Sequence, residues 1–290
     1  MKEMDADMDM GKSAAIAALA ACAAASAQTA RADANADIAR DVAFLAKYAP
    51  PQDGELPREW LEEQCRLAEE ARATAPEKHP DEIFLDYVLP YSVIREGRDD
   101  WRGDFRRRFL PLVKDAKDNY AAAAEIDRRM WNMINVHYNT KRDMARQSPS
   151  HSMRIHMASC TGLSILLIDA CRSVGIPARL VGCNWTTIDG NHSWVEVWSK
   201  GGWHVLASNE KEREDNVWFL EYASKADKSR PDKRIYASRW SPSPKGTRFW
   251  RTWSSPYAFS DVPADEITDE YLPGGRAAPK GECIPEQALR

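Results

Sequence analysis

The run Ser159-Cys160-Thr161-Gly162 is followed by Leu163, Ile165, Leu166, Leu167, Ile168, Ala170, Cys171 and Val174, and then by Gly175 and Pro177. A segment that is apolar almost all round has no face to offer to water, so it reads as a helix that the rest of the chain must enclose. The helix ends near Val174, because Gly175 suits the left-handed position just past a helix and Pro177 forbids continuation. Cys160 then stands at or just before the first turn. Unpaired backbone N–H groups and the positive end of the helix dipole make that a place for a nucleophilic thiol.

Downstream, residues 178–183 read as one strand and residues 203–207 as another, the latter after the Lys200-Gly201-Gly202 turn. Between them, residues 193–198 alternate so that His192, Trp194, Glu196 and Trp198 share one face while Ser193, Val195 and Val197 share the other. A cysteine opening a buried helix, then a histidine opening a strand packed against it, is an order that brings thiolate and imidazole together. Cys160 and His192 are the candidate nucleophile and base.

Ser159-Cys160, the run Arg172-x-x-Gly175-Ile176-Pro177-Ala178-Arg179, and His192-x-Trp194-Val195-Glu196-Val197 followed by Gly202-Trp203 together resemble the core of the transglutaminase-like superfamily. Trp203-His204-Val205-Leu206 leading to Glu210 is similar to the peptide:N-glycanase branch and related secreted bacterial proteins. The resemblance covers about fifty residues closely and about sixty more loosely upstream. It implies an α+β fold, papain-like in the broad sense, with a helical half carrying the nucleophile helix packed on a small antiparallel sheet. It also implies thiol-based acyl transfer without a cofactor. The outcome would be hydrolysis of a peptide or carboxamide bond in a peptide, protein or glycoprotein, or transfer of the acyl group to an amine.

One position departs from the family. An aspartate normally follows the strand tryptophan by four residues and orients the histidine, whereas this chain has Ala207. Asn209 shares the face of Ala207 by the two-residue repeat of a strand, and an amide can orient an imidazole. Glu210 matches a glutamate of the glycanase branch. Both are candidates for the third group, and a degenerate triad would leave a non-catalytic binding module. Trp185 and Trp194 are candidate walls of a substrate groove, while Trp198 and Trp203 are expected to pack and His204 to be structural.

The amino terminus points to export. Residues 13–27 are mostly alanine, preceded by Lys12, and form an apolar run too short to span a bilayer stably. Ala25-Ser26-Ala27 is a small-x-small cleavage site that predicts a mature chain beginning at Gln28. Leu19-Ala20-Ala21-Cys22 resembles a lipoprotein processing box, which would end the signal at residue 21 and tether the domain to a membrane through a lipid on Cys22. Removing residues 1–27 takes away two bases and four acids and moves the net charge from −4 to −2. So small a charge offers no field for nucleic acid, and Arg106, Arg107 and Arg108 read as a solvated helix face. Cys65, Cys171, Cys183 and Cys283 have no spacing that identifies disulfide partners, and neither the cysteines nor the six histidines show metal-ligand spacing.

With 43% hydrophobic residues the chain can bury a large core. A helical part is expected over 33–150, with helices at 33–48, 58–75, 81–89 and 121–138 and a further helical stretch at 109–113. The polar stretch 139–157, with Pro149, reads as a loop that delivers the chain to Cys160. The catalytic core is expected over 151–260, with a short closing helix at 217–223 and strands within 235–253. The tail 273–290 reads as disordered.

Overall fold

The computed structural model describes residues 31–208, 217–250 and 259–279, with Ser26, Gln28 and Thr29. The apolar leader and Cys22 fall outside the described residues. Among those described, no helix is long and apolar enough to cross a membrane.

Helix α1 (31–48) packs with α2 (Arg58–Ala73) and α3 (Asp81–Tyr87) around Val42, Leu45, Cys65, Ala68 and Phe84. Pro57 and Pro80 stand immediately before α2 and α3, where a missing N–H costs a helix nothing. Helices α4 (Trp101–Val113) and α5 (Asn119–Ile134) then form a wall with Phe105, Phe109, Ile126 and Met130 turned inward. The stretch 109–113 is thus the end of a longer helix. Asp118 caps α5 by accepting from the Ala121 N–H at 2.7 Å.

Helix α5 stops four residues short of the expected 138. Asn135 adopts a left-handed conformation with φ of 52°, which suits asparagine, and the chain turns into β1 (His137–Tyr138). The expected loop 139–157 contains α6 (Pro149–Ile155) and ends in β2 (Met157–Ala158), which pairs in parallel with β1. Pro149 starts α6 rather than breaking it: it occupies the first helical turn, and Ser148 Oγ accepts from the His151 N–H at 3.4 Å.

Helix α7 (Cys160–Ser173) is the buried helix the sequence calls for, with every residue from Thr161 to Ser173 buried. It ends where expected. Gly175 has φ of +83°, and a Cβ there would come 2.3 Å from Ala71 O of α2, so the position takes glycine only.

A six-stranded antiparallel sheet follows, in the order β5-β4-β3-β6-β8-β7, built from β3 (Ala178–Asn184), β4 (Asn191–Ser199), β5 (Gly202–Leu206), β6 (Tyr236–Ser238), β7 (Arg248–Trp250) and β8 (Phe259–Glu266). One face, through Leu180, Val195, Val197 and Leu206, packs on α7. The other, through Val181, Cys183, Trp194, Val205 and Ala207, is covered by Phe219, by Leu220 of α8 (Leu220–Ala223), by Tyr271 of α9 (Thr268–Tyr271) and by Ala277. The architecture is α+β, with helices on both faces of the sheet.

Two buried arginines join these layers. Arg172 of α7 donates to Tyr87 O, Pro90 O, Ser92 O and Ala178 O, and Arg102 of α4 donates to Val88 O, Leu89 O and Pro90 O. Burial pushes the Arg102 guanidinium down to about 9. Residues 87–92 thereby form a wall over α7.

The expected disordered tail is partly ordered. Arg276 is drawn to the buried carboxylate of Glu196 and Ala277 is buried, so these two residues lie against the sheet. An ion pair to a residue eighty positions upstream has no signature in local composition. Residues 280–290 are outside the described residues.

Candidate active site

The start of β4 and the start of α7 meet through side chains. Thr161 Oγ1 lies 3.2 Å from Ser193 Oγ, and Ser164 Oγ donates to Ser193 O at 3.4 Å. Ser164 Oγ is also 3.3 Å from Ser208 Oγ, just past β5. These small hydroxyl residues replace apolar ones where the helix start approaches the sheet. Cys160 immediately precedes Thr161, and His192 immediately precedes Ser193, so nucleophile and base candidates flank one interelement hydrogen bond.

Cys160 is half-buried at the first position of α7. Ser159, the residue before it, makes no side-chain cap to the helix; its Oγ instead accepts from Arg142 Nε at 3.0 Å. The first intrahelical bond to Ser159 O comes from the Leu163 N–H at 2.9 Å. The N–H groups of Cys160, Thr161 and Gly162 precede that bond and lie at the amino end of the helix. Gly162 keeps this turn tight: a Cβ there would sit 2.9 Å from the Ala158 Cβ and 3.3 Å from Gln147 Oε1. Gln147, buried, donates through Nε2 to Met157 O at 2.9 Å and so braces the segment entering α7.

His192 occupies the face of β4 opposite to Ser193, as strand alternation requires. Its ring stacks near-parallel with Trp185 (centroids 6.0 Å, 24° between planes) and Trp194 (6.1 Å, 22°), with Phe219 at 4.9 Å and Trp218 at 5.1 Å. The imidazole is half-buried in an aromatic cage. Trp185 and Trp194, the candidate groove walls, are 4% and 0% exposed. The covering layer of residues 217–223 and 271 closes over them, and a strand reading of 193–198 does not reveal such a layer.

Ala207 is buried on the same face as Trp194 and supplies no side-chain acceptor where the family carries aspartate. Asn209 and Glu210, the two candidate substitutes, lie outside the described residues. His204 has the structural role expected of it, with Nε2 3.1 Å from Ser199 O. Trp198 and Trp203 pack edge to face at 5.4 Å.

Beneath the cage lies a buried ionic cluster. Arg179 and Glu196 are directly opposed across β3 and β4, and Arg179 Nε and Nη2 donate to Glu196 Oε2 at 2.8 and 2.6 Å. Glu196 Oε1 accepts from Tyr271 Oη and from Arg276 Nη2, each at 2.7 Å. Burial alone would raise the Glu196 carboxyl, but the Arg179 and Arg276 guanidiniums and the Tyr271 hydroxyl together hold it below the usual carboxylate range. The Arg179 guanidinium carbon also lies 4.0 Å from the Trp203 ring centroid. Sequence reading placed Arg179 and Glu196 only as parts of motifs, and it passed over Tyr271 and Arg276, which sit in a stretch without periodicity.

Cys65, Cys160 and Cys171 are free thiols. Burial pushes Cys65 up to about 12 and Cys171 higher still, so neither competes as a nucleophile. Among the described residues, no group of three or more His, Cys, Asp or Glu side chains is arranged to hold a metal ion.

Residues 109–207 match the model of the Transglutaminase-like superfamily, about a third of the chain, from the end of α4 to Ala207 and including Cys160 and His192. Among solved structures, the chain is similar to a cysteine protease candidate from Cytophaga hutchinsonii, with 18% identity, a TM-score of 0.34 and 42% of each chain covered. It is also similar to a protease candidate from Parabacteroides distasonis ATCC 8503, with 9% identity, a TM-score of 0.31, 48% of this chain and 26% of that one. The chain thus spans under half the length of either. No curated protein gives a significant match.

Proposed function

From the premise that residues 109–207 form a transglutaminase-like core, we propose that this chain is an exported thiol hydrolase that cleaves a peptide or carboxamide bond. The observation that supports the reading is the Thr161–Ser193 hydrogen bond, which joins the start of α7 to the start of β4 at the residues that follow Cys160 and His192 in the chain.

In the proposed mechanism the Cys160 thiolate attacks the substrate carbonyl carbon, and the C=O electron pair moves to oxygen. The N–H groups at the amino end of α7 are suited to stabilise that oxyanion. His192, as imidazolium, gives its proton to the leaving amine as the C–N bond breaks, leaving a thioester on Cys160. Water then attacks the thioester carbonyl while His192 takes a proton from it, and the thiolate departs with release of the acid. An amine in place of water would give acyl transfer through the same residues.

Export rests on the alanine-rich leader, with processing either before Gln28 or at a lipidated Cys22. The substrate would then be a peptide, protein or glycoprotein outside the cytoplasm. Hydrolysis assays on peptide, glycopeptide and primary carboxamide substrates, comparing the wild type with Cys160→Ala, test the reading. Activity in the wild type alone supports it, and an equal rate in the alanine variant rejects it.

A second reading has its own observation. Ala207, buried where the family has its orienting aspartate, favours a binding module that keeps the fold without turnover. Such a module would retain peptide or glycopeptide binding in both Cys160→Ala and wild type with no hydrolysis in either.

A further inference from the structure

We infer that Tyr271, outside the family-matched segment, is a positioning residue for His192, acting through the indole of Trp194. The inference rests on the proposed role of His192.

The chain of contacts is short and directional. A carboxylate only accepts hydrogen bonds, so the Tyr271 hydroxyl proton points at Glu196 Oε1, 2.7 Å away. The hydroxyl oxygen keeps a lone pair for the Trp194 Nε1–H, which donates to it at 2.8 Å. Glu196 is itself held by two hydrogen bonds from Arg179. The indole of Trp194 is therefore fixed at its polar edge by the hydrogen bond and at its faces by Phe219 (4.9 Å) and the edge of Tyr271 (5.4 Å). Its ring in turn lies 22° from parallel to His192.

The family fixes the histidine through an aspartate at the position of Ala207. This chain places at that position a side chain that cannot accept, and cages the imidazole among four aromatic rings, one of which, Trp194, is anchored to a buried ionic cluster. The cage supplies orientation that Ala207 cannot. Tyr271 belongs to α9, near the carboxyl end of the described chain, so the core as matched is completed by an element that lies beyond it.

The test compares full-length Tyr271→Phe with Arg276→Gln. The phenylalanine keeps the packing of the ring and deletes the acceptor for Trp194. The glutamine weakens the same ionic cluster while leaving the Trp194–Tyr271 bond in place. Two quantities are read: kcat and KM for hydrolysis, and the imidazole ring-proton resonances of His192, identified by their loss in His192→Gln and shifted by the surrounding aromatic rings. Tyr271→Phe is expected to lower kcat about tenfold or more, as small misplacements of a proton-transfer group do, with KM held within about twofold, and to move the His192 resonances. Arg276→Gln is expected to change neither kcat by more than about twofold nor the resonances. Unchanged resonances and kcat in Tyr271→Phe overturn the inference. Equal losses in both variants also overturn it, because they mark a purely structural cluster. If His192→Gln retains full activity, the catalytic reading of His192 falls, and the resonance shifts alone still decide whether Tyr271 holds the ring.

Discussion

Arg179 and Glu196 face each other across β3 and β4, joined by two hydrogen bonds of 2.8 and 2.6 Å in a region sealed from water. The pair lies on the same face of the sheet as His192, two strand steps away, and through Tyr271 and Trp194 it reaches the imidazole cage. Charge burial under the candidate base is thus part of how the site is built, and several outcomes depend on it.

Glu196→Gln should destabilise the protein by about 3 kcal/mol, because it leaves the buried Arg179 guanidinium without its counter-charge. The wild-type carboxyl is held below its ordinary value, so its contribution to stability is fully present above the unfolded-state value near 4.5 and is lost as pH falls through the lower folded value. Denaturant titrations at neutral and acid pH check both points. The wild type should lose stability on acidification below about 4.5, and the difference between it and Glu196→Gln should shrink there.

Gly175→Ala should cost about 2 kcal/mol or more, since the position combines left-handed φ with a Cβ 2.3 Å from a backbone oxygen of α2. A shift in the denaturation midpoint measures it. A neutral outcome would mean that α2 can move away from α7.

Much of the candidate site was legible in the sequence because its elements carry strong local signals. The all-round apolar run 163–174 specified a buried helix, and the alternation from His192 to Trp198 specified which residues share a face. What was missed depends on helix caps and on partners distant in sequence. Pro149 looks like a breaker until Ser148 is seen to cap the helix it begins. Trp194 looks like a half-exposed strand residue until α8 and α9 are placed over it. Arg276, in a Gly- and Pro-rich stretch, acquires meaning only through Glu196, eighty residues earlier.

The third group of the proposed triad is testable by substitution. With Ala207 unable to orient the imidazole, Asn209→Ala should cost more activity than Glu210→Gln, because an amide can orient an imidazole and Asn209 is the nearer of the two to Ala207 in sequence. Ala207→Asp should restore or raise the rate, since a carboxylate stabilises the imidazolium better than an amide. Rates of hydrolysis for the three variants decide this. A greater loss in Glu210→Gln would give the orienting role to Glu210.

The central claim is that Cys160 and His192 work as a pair, and the most direct measurement is the rate of iodoacetamide alkylation, located by peptide mapping, in the wild type and in His192→Ala. The account predicts a fast adduct at Cys160, none at the buried Cys65 and Cys171, and a rate at Cys160 that falls about tenfold or more when the imidazole is removed. Alkylation of Cys160 at the same rate in both proteins would contradict it.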